Sequence, residues 1–309
     1  LMPYGGELQL TETQVSVQKL PTDGYTDTAS IMAFGFNPVI SKWSPYHGAA
    51  YSMVEACAKV VAAGGHYEKM RFSCQEYFER MTHDPKVWGK PMSALLGSLK
   101  MQIELGLPSI GGKDSMSGTF EHINVPPTLI SFGITTVDAN KVISPELKWE
   151  GNQLYLIKHT PRADRMPDVD QLKKNWAYVT EQIEAGNIVS AWAVGFGGVA
   201  EALCKMSFGN AFGVDVKIPE NELFDYSYGS IVIESEGSLD FENAEYLGLV
   251  TSGVDDCLRI NAKNIPMADL VESAFAGYER VYPAVSKPVM KRLLPKGAEG
   301  VKPYKAKKV

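Results

Sequence analysis

The chain has 309 residues, of which 45% are hydrophobic and 21% are charged, an ordinary composition for a globular protein of two domains. Its formal net charge of −6 gives no electrostatic reason to expect a nucleic acid or an anionic membrane as a partner. No apolar run approaches the roughly 18 residues of a membrane-spanning helix, and the N-terminus lacks the pattern of a secretion signal. These features predict a cytoplasmic protein and favour a small or charge-neutralised ligand.

Cysteine and histidine spacing indicates neither a metal site nor a disulfide framework. The cysteines lie far apart without a C-x-x-C pair, and the histidines show no spacing typical of metal ligands. We therefore expect structural histidines and reduced cysteines that are buried or half-buried. These residues are Cys57, Cys74, Cys204, Cys257, His47, His66, His83, His122 and His159.

The N-terminal part of the chain predicts two strands followed by a helix. The strands are expected at 14–20 and 25–36, on either side of a Pro-Thr-Asp-Gly turn. Ser44 and Pro45 are typical of an N-cap and a first helical position. They predict a helix that ends at the glycine pair 64–65.

A second helix is predicted from about residue 90 to residue 105, with Gly106 as its stop. Its apolar residues recur at helical spacing, so we expect them to be buried: Met92, Leu95, Leu96, Leu99 and Ile103. The β-rich segment 128–137 has few charges and predicts a central strand. The polar stretch 138–151 then predicts a domain boundary.

Beyond this boundary strands and helices alternate, which predicts an α/β domain with a mixed sheet. The strands are expected at 153–158, 188–194 and near Val214, Ile231 and Leu247, and the helices at 169–185, 198–207 and 267–282. Segment 286–309 is rich in lysine and proline, which favours a solvated linker over a basic binding arm. The expected domain limits are 12–140 and 150–284, with a linker or tail at 285–309.

The densest chemical signal is the sequence IGGKDSMSG at 110–118. Adjacent glycines let backbone N–H groups approach an anion, lysine adds positive charge, serines donate to phosphate oxygens, and aspartate offers a Mg²⁺ ligand. It is not a Walker loop, since aspartate follows the lysine. A tight turn with a solvated Lys-Asp pair is equally favoured by the residues alone. The candidate nucleotide- or phosphate-binding residues are Gly111, Gly112, Lys113, Asp114, Ser115 and Ser117.

This segment is followed by VPPTLISF at 125–132, and together they resemble the signature of the second synthetase repeat in large phosphoribosylformylglycinamidine synthases. Three further segments are similar to the long-chain form of that family: DTASIMAFG at 27–35, SPYHGA at 44–49 and WGKP at 88–91. The resemblance runs from about residue 15 to residue 282. It implies that the chain is the second half of the synthetase, without the glutaminase domain.

The resemblance implies the α+β and α/β architecture of aminoimidazole ribonucleotide synthetase. An N-terminal mixed-sheet domain with helices forms a barrel shared with a partner, and a C-terminal α/β domain follows. The family reaction is a C–N ligation of purine biosynthesis, which makes formylglycinamidine ribonucleotide, ADP and phosphate from formylglycinamide ribonucleotide, ATP and glutamine-derived ammonia. The implied cofactors are ATP or ADP with Mg²⁺. The implied partners are the first synthetase half and the glutaminase domain of the same polypeptide.

The resemblance also implies an auxiliary nucleotide whose Mg²⁺ ligands match Asp114 and Glu55 here. Lys59 stands in place of an asparagine ligand, and Gln18 or Lys19 in place of an aspartate. An ammonium group could therefore replace the metal, or this nucleotide could be absent. Alternatively, Glu55 and Lys59 form a surface i,i+4 pair worth only about 0.2 to 0.5 kcal/mol.

A second glycine pair, Gly197-Gly198, lies where relatives carry an acidic turn into a helix, and Ala193 and Phe196 replace the two acids. A helix N-terminus favours a phosphate, but two glycines also allow close helix-to-strand packing, which we favour slightly. The family's catalytic histidine and its glutaminase cysteine lie in other parts of the enzyme. No catalytic residue is therefore expected in this chain.

Two functions of different classes remain open. The chain is either an enzyme segment that forms one wall of an amidation site or a non-catalytic scaffold. The changes at Lys59 and Ala193 favour the scaffold, whereas the intact Lys113-Asp114-Ser115 segment favours retained ligand contact. A stand-alone relative such as selenophosphate synthetase fits less well, because the match is to the second repeat of the purine enzyme. Under the first two hypotheses the isolated chain is inactive, and it is expected to form a homodimer through its barrel face.

Overall fold

The structure, a computed structural model, describes residues 4–252 and 257–282. Two β-sheets dominate it, the first built between residues 16 and 138 and the second between residues 153 and 266. None of the helices in this described part is long and apolar enough to cross a membrane. The predicted tail at 285–309 lies outside the described residues.

The first sheet is mixed. Among the described residues its strands are β1 (Ser16–Lys19), β2 (Thr28–Gly35), β3 (Arg71–Tyr77), β4 (Ser109–Lys113) and β7 (Thr128–Asp138). Their spatial order is β1-β2-β7-β3-β4, and neighbouring strands are antiparallel except for the parallel pair of β3 and β4. A separate hairpin of β5 (Thr119–Phe120) and β6 (Ile123–Asn124) precedes β7. β4 is therefore an edge strand, and it carries the glycine pair of segment 110–118.

The helices of the first unit are α1 (Pro38–Trp43), α2 (Pro45–Ala62) and α3 (Pro85–Leu105). The predicted start of α2 is confirmed, since Ser44 caps it by accepting from the backbone N–H of His47 and proline occupies the first helical position. Every residue of α2 from Gly48 to Ala62 is buried except Lys59. This burial follows from the position of α2 between the first sheet and the elements that follow residue 150.

The apolar residues of α3 are exposed, so the prediction that they are buried is wrong. Exposure ranges from 49% at Leu95 to 71% at Ile103. α3 instead packs on α2 through its small residues: a Cβ added to Gly97 would lie 2.0 Å from the carbonyl oxygen of Tyr46. We call these exposed apolar residues the α3 stripe: Met92, Leu95, Leu96, Leu99 and Ile103. Periodicity identified the residues that share a face, but not whether anything covers that face.

The first sheet has one covered face and one open face. Residues alternate along its strands, and the inward positions pack on α2 and α3. The other face exposes large apolar side chains, among them the ring pair Phe34 and Phe132, whose centroids are 6.2 Å apart. We call this surface the open sheet face: Met32, Phe34, Tyr77, Phe132 and Ile134.

The second sheet is also mixed, as predicted. Its strands are β8 (Gln153–Ile157), β9 (Ile188–Ala193), β10 (Gly213–Val216), β11 (Ile231–Ser235), β12 (Ala244–Thr251), β13 (Cys257–Ile260) and β14 (Lys263–Pro266). Their order is β14-β13-β10-β12-β8-β11-β9, and β10 and β13 are parallel while the other described pairs are antiparallel. The helices are α4 (Val169–Glu184), α5 (Gly198–Phe208) and α6 (Met267–Val281).

Two apolar cores cover the two faces of the second sheet. One face packs with α4 and α2 in a core that continues into the first sheet, where Met53 and Trp176 are fully buried. The other face packs with α5 and α6 around Leu154 and Val232. All four cysteines are free, and Cys57 is buried in the shared core, which confirms the prediction of reduced thiols.

Candidate functional site

The glycine pair lies in an extended edge strand and not in a tight turn. Gly111 and Gly112 are both part of β4 and pair with β3. A Cβ on Gly112 would lie 2.3 Å from the carbonyl oxygen of Cys74, so close strand packing explains that glycine. A Cβ on Gly111 would meet nothing within 4 Å. Packing therefore gives no reason for glycine at position 111, where the backbone faces open space.

Beyond β4 the chain continues beside the end of β3. The N–H of Ser115 donates to the carbonyl oxygen of Glu76 at 3.1 Å, and the N–H of Phe78 donates to the carbonyl oxygen of Ser115 at 2.9 Å. The hydroxyls of Ser115 and Ser117 lie 3.2 Å apart. These bonds fix the backbone on both sides of Asp114 next to the last residues of β3.

Lys113 and Asp114 point to different sides of the sheet. The Lys113 ammonium lies 5.7 Å from the ring centre of Tyr77, a residue of the open sheet face. Asp114 instead lies near the inward-facing side chain of Glu76, and its carboxyl group contributes to the raised pKa of Glu76. Neighbouring residues of an extended chain alternate in this way. Lys113 and Asp114 are both exposed, as the alternative of a solvated pair requires, but they lie on opposite sides of the sheet and not in a tight turn.

Glu76 is a buried carboxyl group whose only partner among the described residues is another acid. It is 3% exposed, and its Oε1 atom is buried without a hydrogen-bond partner. Burial, followed by the charge and hydrogen bond of Asp114, raises the pKa of Glu76 to about 7. Sequence reasoning missed this residue. The signal was available, because the alternation of β3 places Phe72, Cys74 and Glu76 on its inward face.

Glu76 and Asp114 lie at the polar end of a groove between α3 and β4. The groove has a volume of about 590 Å³. Leucines and Met92 of the α3 stripe form one wall, and Gly111 and Gly112 form the other. Three of the six candidate phosphate-binding residues therefore line this groove: Gly111, Gly112 and Asp114.

Glu55, the second predicted metal ligand, already has two partners. Its Oε2 accepts from the N–H of Phe36 at 2.8 Å, and its Oε1 forms an ion pair with the Lys59 ammonium at 2.8 Å. The predicted i,i+4 pair is therefore formed, but it is not on the surface, since the Lys59 and Glu55 side chains are only 12% and 9% exposed. Burial raises the pKa of Glu55, and Lys59 opposes that shift. Lys59 also donates to the carbonyl oxygen of Phe34 at 2.9 Å.

The structure does not bring Glu55 and Asp114 together. Gly35, Ser131, Cys74 and Gly112 are successive register partners across β2, β7, β3 and β4. Three strand spacings amount to about 14 Å, which separates the end of β2 near Glu55 from the end of β4. Lys19, one of the two residues expected in place of a family aspartate, forms an exposed ion pair with Asp27 at 3.1 Å.

The second glycine pair is explained by packing and capping. Gly198 begins α5 with a φ of +68°, and a Cβ there would lie 2.7 Å from the carbonyl oxygen of Leu223. The N–H of Gly197 donates to the carboxylate of Glu201 at 2.9 Å. An acidic side chain of the same helix thus occupies the N-terminus where a phosphate was the alternative. Phe196 stacks on Tyr226 with ring centres 5.2 Å apart.

The buried histidine has structural partners. His159 Nδ1 lies 2.8 Å from the carbonyl oxygen of Tyr228, and its Nε2 accepts from the N–H of Asp168 at 3.0 Å. Residues 4–252 and 257–282 contain no cluster of three or more histidine, cysteine, aspartate or glutamate side chains suited to a metal. Any metal site in this part of the chain would thus draw further ligands from water or from a bound molecule.

Sequence comparison with known proteins finds relatives that are subunits of phosphoribosylformylglycinamidine synthase. The PurL subunit of phosphoribosylformylglycinamidine synthase from Sulfurimonas denitrificans is 26% identical over 267 residues, which are 77% of this chain and 35% of that protein. The same subunit from Lactobacillus delbrueckii subsp. bulgaricus is 24% identical over 255 residues, 73% of this chain and 34% of that protein. The chain thus spans about a third of the length of these relatives. No family model matches the chain.

Comparison with solved structures gives the same fold. Thermotoga maritima PurL complexed with ADP has a TM-score of 0.65 at 16% identity, over 87% of this chain and 47% of that one. Thiamine monophosphate kinase from Aquifex aeolicus has a TM-score of 0.56 at 12% identity, over 78% of this chain and 91% of that one. The predicted architecture of the aminoimidazole ribonucleotide synthetase type is confirmed. The predicted resemblance is confirmed as well: this chain is a homologue of part of the PurL subunit of phosphoribosylformylglycinamidine synthase.

Proposed function

We propose that this chain is a nucleotide-binding synthetase unit of a cytoplasmic, glutamine-dependent phosphoribosylformylglycinamidine synthase, and that it is the second of two such units. The observation that carries the proposal is the groove at β4, which is lined by Gly111, Gly112 and Asp114 of the family's signature segment. The structures of T. maritima PurL complexed with ADP and with ATP support a nucleotide as the ligand.

The residues of the groove suit a nucleotide with Mg²⁺. Gly111 leaves space for a phosphate, and the hydroxyls of Ser115 and Ser117 are donors within the same segment. Asp114 is an oxygen ligand of the kind Mg²⁺ prefers, and the ion would neutralise phosphate charge when bound. The chain's own contribution is to position the phosphates and to form one wall of the site. The reacting groups belong to other parts of the enzyme, so we expect no amidation activity from the isolated chain.

The proposed partner of the open sheet face is the first synthetase half. This face presents aromatic and aliphatic side chains from three adjacent strands, β2, β7 and β3. An exposed apolar patch of this kind is typical of a protein interface. A sheet with the same open face would cover it and complete a shared barrel. The glutaminase domain of the same polypeptide is the other proposed partner, as the source of ammonia.

A non-catalytic scaffold is the second candidate function, and two contacts favour it. The Lys59 ammonium forms an ion pair with Glu55, which the resemblance implies as a metal ligand. The Glu201 carboxylate accepts a hydrogen bond at the N-terminus of α5, where a phosphate would otherwise bind. Under this alternative the chain serves as the structural half of the barrel and binds no nucleotide. The two candidates differ in one measurable property, the affinity for ADP.

A substitution at Asp114 tests the proposal. We expect calorimetric titration with ADP and Mg²⁺ to detect binding to the wild-type chain and a loss of at least about tenfold in affinity for Asp114→Ala, because the variant lacks the carboxylate that would hold Mg²⁺ beside the phosphates. Asp23→Ala is the matched control, since Asp23 is also exposed and lies outside the groove. A folded wild-type chain that binds no ADP would overturn the nucleotide-binding proposal and leave the scaffold.

A further inference from the structure

Among the buried glutamates of the described residues, Glu76 has an exceptional environment. Glu55 pairs with Lys59, Glu79 with Lys90 and Glu146 with Lys148. Glu234 accepts hydrogen bonds from two backbone N–H groups and an asparagine amide. Glu76 instead shares its groove with a second acid, the exposed Asp114. A positive charge would stabilise the buried carboxylate and offset the repulsion between the two acids.

The unpaired oxygen of Glu76 indicates where a positive charge would bind. Oε1 of Glu76 is buried without a hydrogen-bond partner, although an unsatisfied buried acceptor is unfavourable. Glu76 and Asp114 both line the groove between α3 and β4. Among the residues that the structure describes, no lysine, arginine or histidine lines that groove. A bound cation would supply the positive charge that this lining lacks.

The donor atoms fit a hard divalent cation. Carboxylate oxygens are the ligands that Mg²⁺ prefers, and Mg²⁺ usually binds through one or two carboxylates while it keeps several waters. A groove of about 590 Å³ has room for those waters or for the phosphates that replace them. Glu55 lacks these properties, since Lys59 and the N–H of Phe36 already satisfy its two oxygens.

We propose that Glu76 and Asp114 together hold a divalent cation at the polar end of the groove between α3 and β4, and that Glu55 is not one of its ligands. This acid pair excludes Glu55, whose carboxylate already forms an ion pair with Lys59. The use of this cation for a nucleotide rests on the proposed function. The binding of the cation itself does not.

Titration of the full chain with Mn²⁺ alone tests this site, with electron paramagnetic resonance as the measure of free Mn²⁺. We expect the wild-type chain to bind Mn²⁺, and Glu76→Gln and Asp114→Asn each to weaken binding by at least about tenfold. Glu55→Gln is the matched control, because it removes the other predicted acidic ligand, and we expect its affinity to equal that of the wild type. Competition by Mg²⁺ should displace the bound Mn²⁺.

Two results would overturn the site: a wild-type chain that binds no Mn²⁺, or affinity that survives Glu76→Gln and is lost in Glu55→Gln. Thermal unfolding adds a readout that separates ligation from folding. Mn²⁺ should raise the melting temperature of the wild type but not of Glu76→Gln, and the metal-free variant should remain folded, because the substitution removes charge repulsion. Mn²⁺ binding without ADP binding would sustain the cation site and defeat only the proposed function.

Discussion

His159 bridges two backbone groups near the start of α4, the N–H of Asp168 and the carbonyl oxygen of Tyr228. Its Nε2 accepts from the N–H of Asp168, and Asp168 caps α4 through the N–H of Gln171. Nδ1 must therefore carry the ring proton and donate to the carbonyl oxygen of Tyr228. A second proton on Nε2 would remove the acceptor from the N–H of Asp168. Burial adds to this cost, and it lowers the pKa of His159 below 6.5.

The lowered pKa of His159 predicts a loss of stability in weak acid. As the pH falls below 6.5, the unfolded chain takes up a proton that the folded chain resists, so the free energy of unfolding decreases. Above that pH the contribution is fully present. We expect urea unfolding to show this fall in the wild type and a smaller fall in His159→Gln. Equal pH dependence in both proteins would contradict the assignment.

At the scale of elements, the Glu55–Lys59 pair joins α2 to the end of β2. Glu55 accepts from the N–H of Phe36, and Lys59 donates to the carbonyl oxygen of Phe34. The pair therefore satisfies backbone groups at the point where β2 ends, besides neutralising two buried charges. Lys59, which the resemblance places at the position of a metal ligand, therefore has a structural role.

Removal of Lys59 alone should destabilise the chain. We expect Lys59→Met to lower the free energy of unfolding by about 3 kcal/mol, because it leaves Glu55 buried without its partner. The double variant Lys59→Met/Glu55→Gln should recover most of that loss. Chemical denaturation of the three proteins provides the measurement. A single variant as stable as the wild type would mean that water already solvates Glu55.

Elements with local signals were predictable from the sequence, and elements defined by distant contacts were not. The start of α2 follows from Ser44 and Pro45, which act within one helical turn. The glycine pair of β4 suggested a turn, but pairing with β3 holds it extended. The contact of Glu76 with Asp114 depends on the register of those two strands, which no local pattern contains.

At the scale of the molecule, the described residues leave two apolar surfaces uncovered: the open sheet face and the α3 stripe. They differ in shape, since the first is a broad sheet and the second is a single row along a helix. A barrel shared by two synthetase units requires sheets that meet face to face. For the isolated chain, we therefore expect a second copy to cover the open sheet face.

Sedimentation velocity at micromolar concentration should detect a homodimer of the isolated chain. We expect Phe132→Lys, on the open sheet face, to convert it to a monomer, because a buried lysine without a partner is unfavourable. Leu96→Lys is the matched control on the α3 stripe and should leave the dimer intact. Only monomers in the wild type, or a monomer from Leu96→Lys alone, would contradict this arrangement.

The burial of α2 on two sides limits how the molecule can move. Its residues Met53 and Val54 belong to one apolar core that includes side chains from both sheets. Hinged closure of one unit over the other would expose that core to water, and each buried side chain would oppose the motion by about 1.5 to 3 kcal/mol. The two sheets therefore move as one rigid unit. A ligand reaches the groove at β4 from its rim, and any segment that closes over the ligand must come from another part of the assembly.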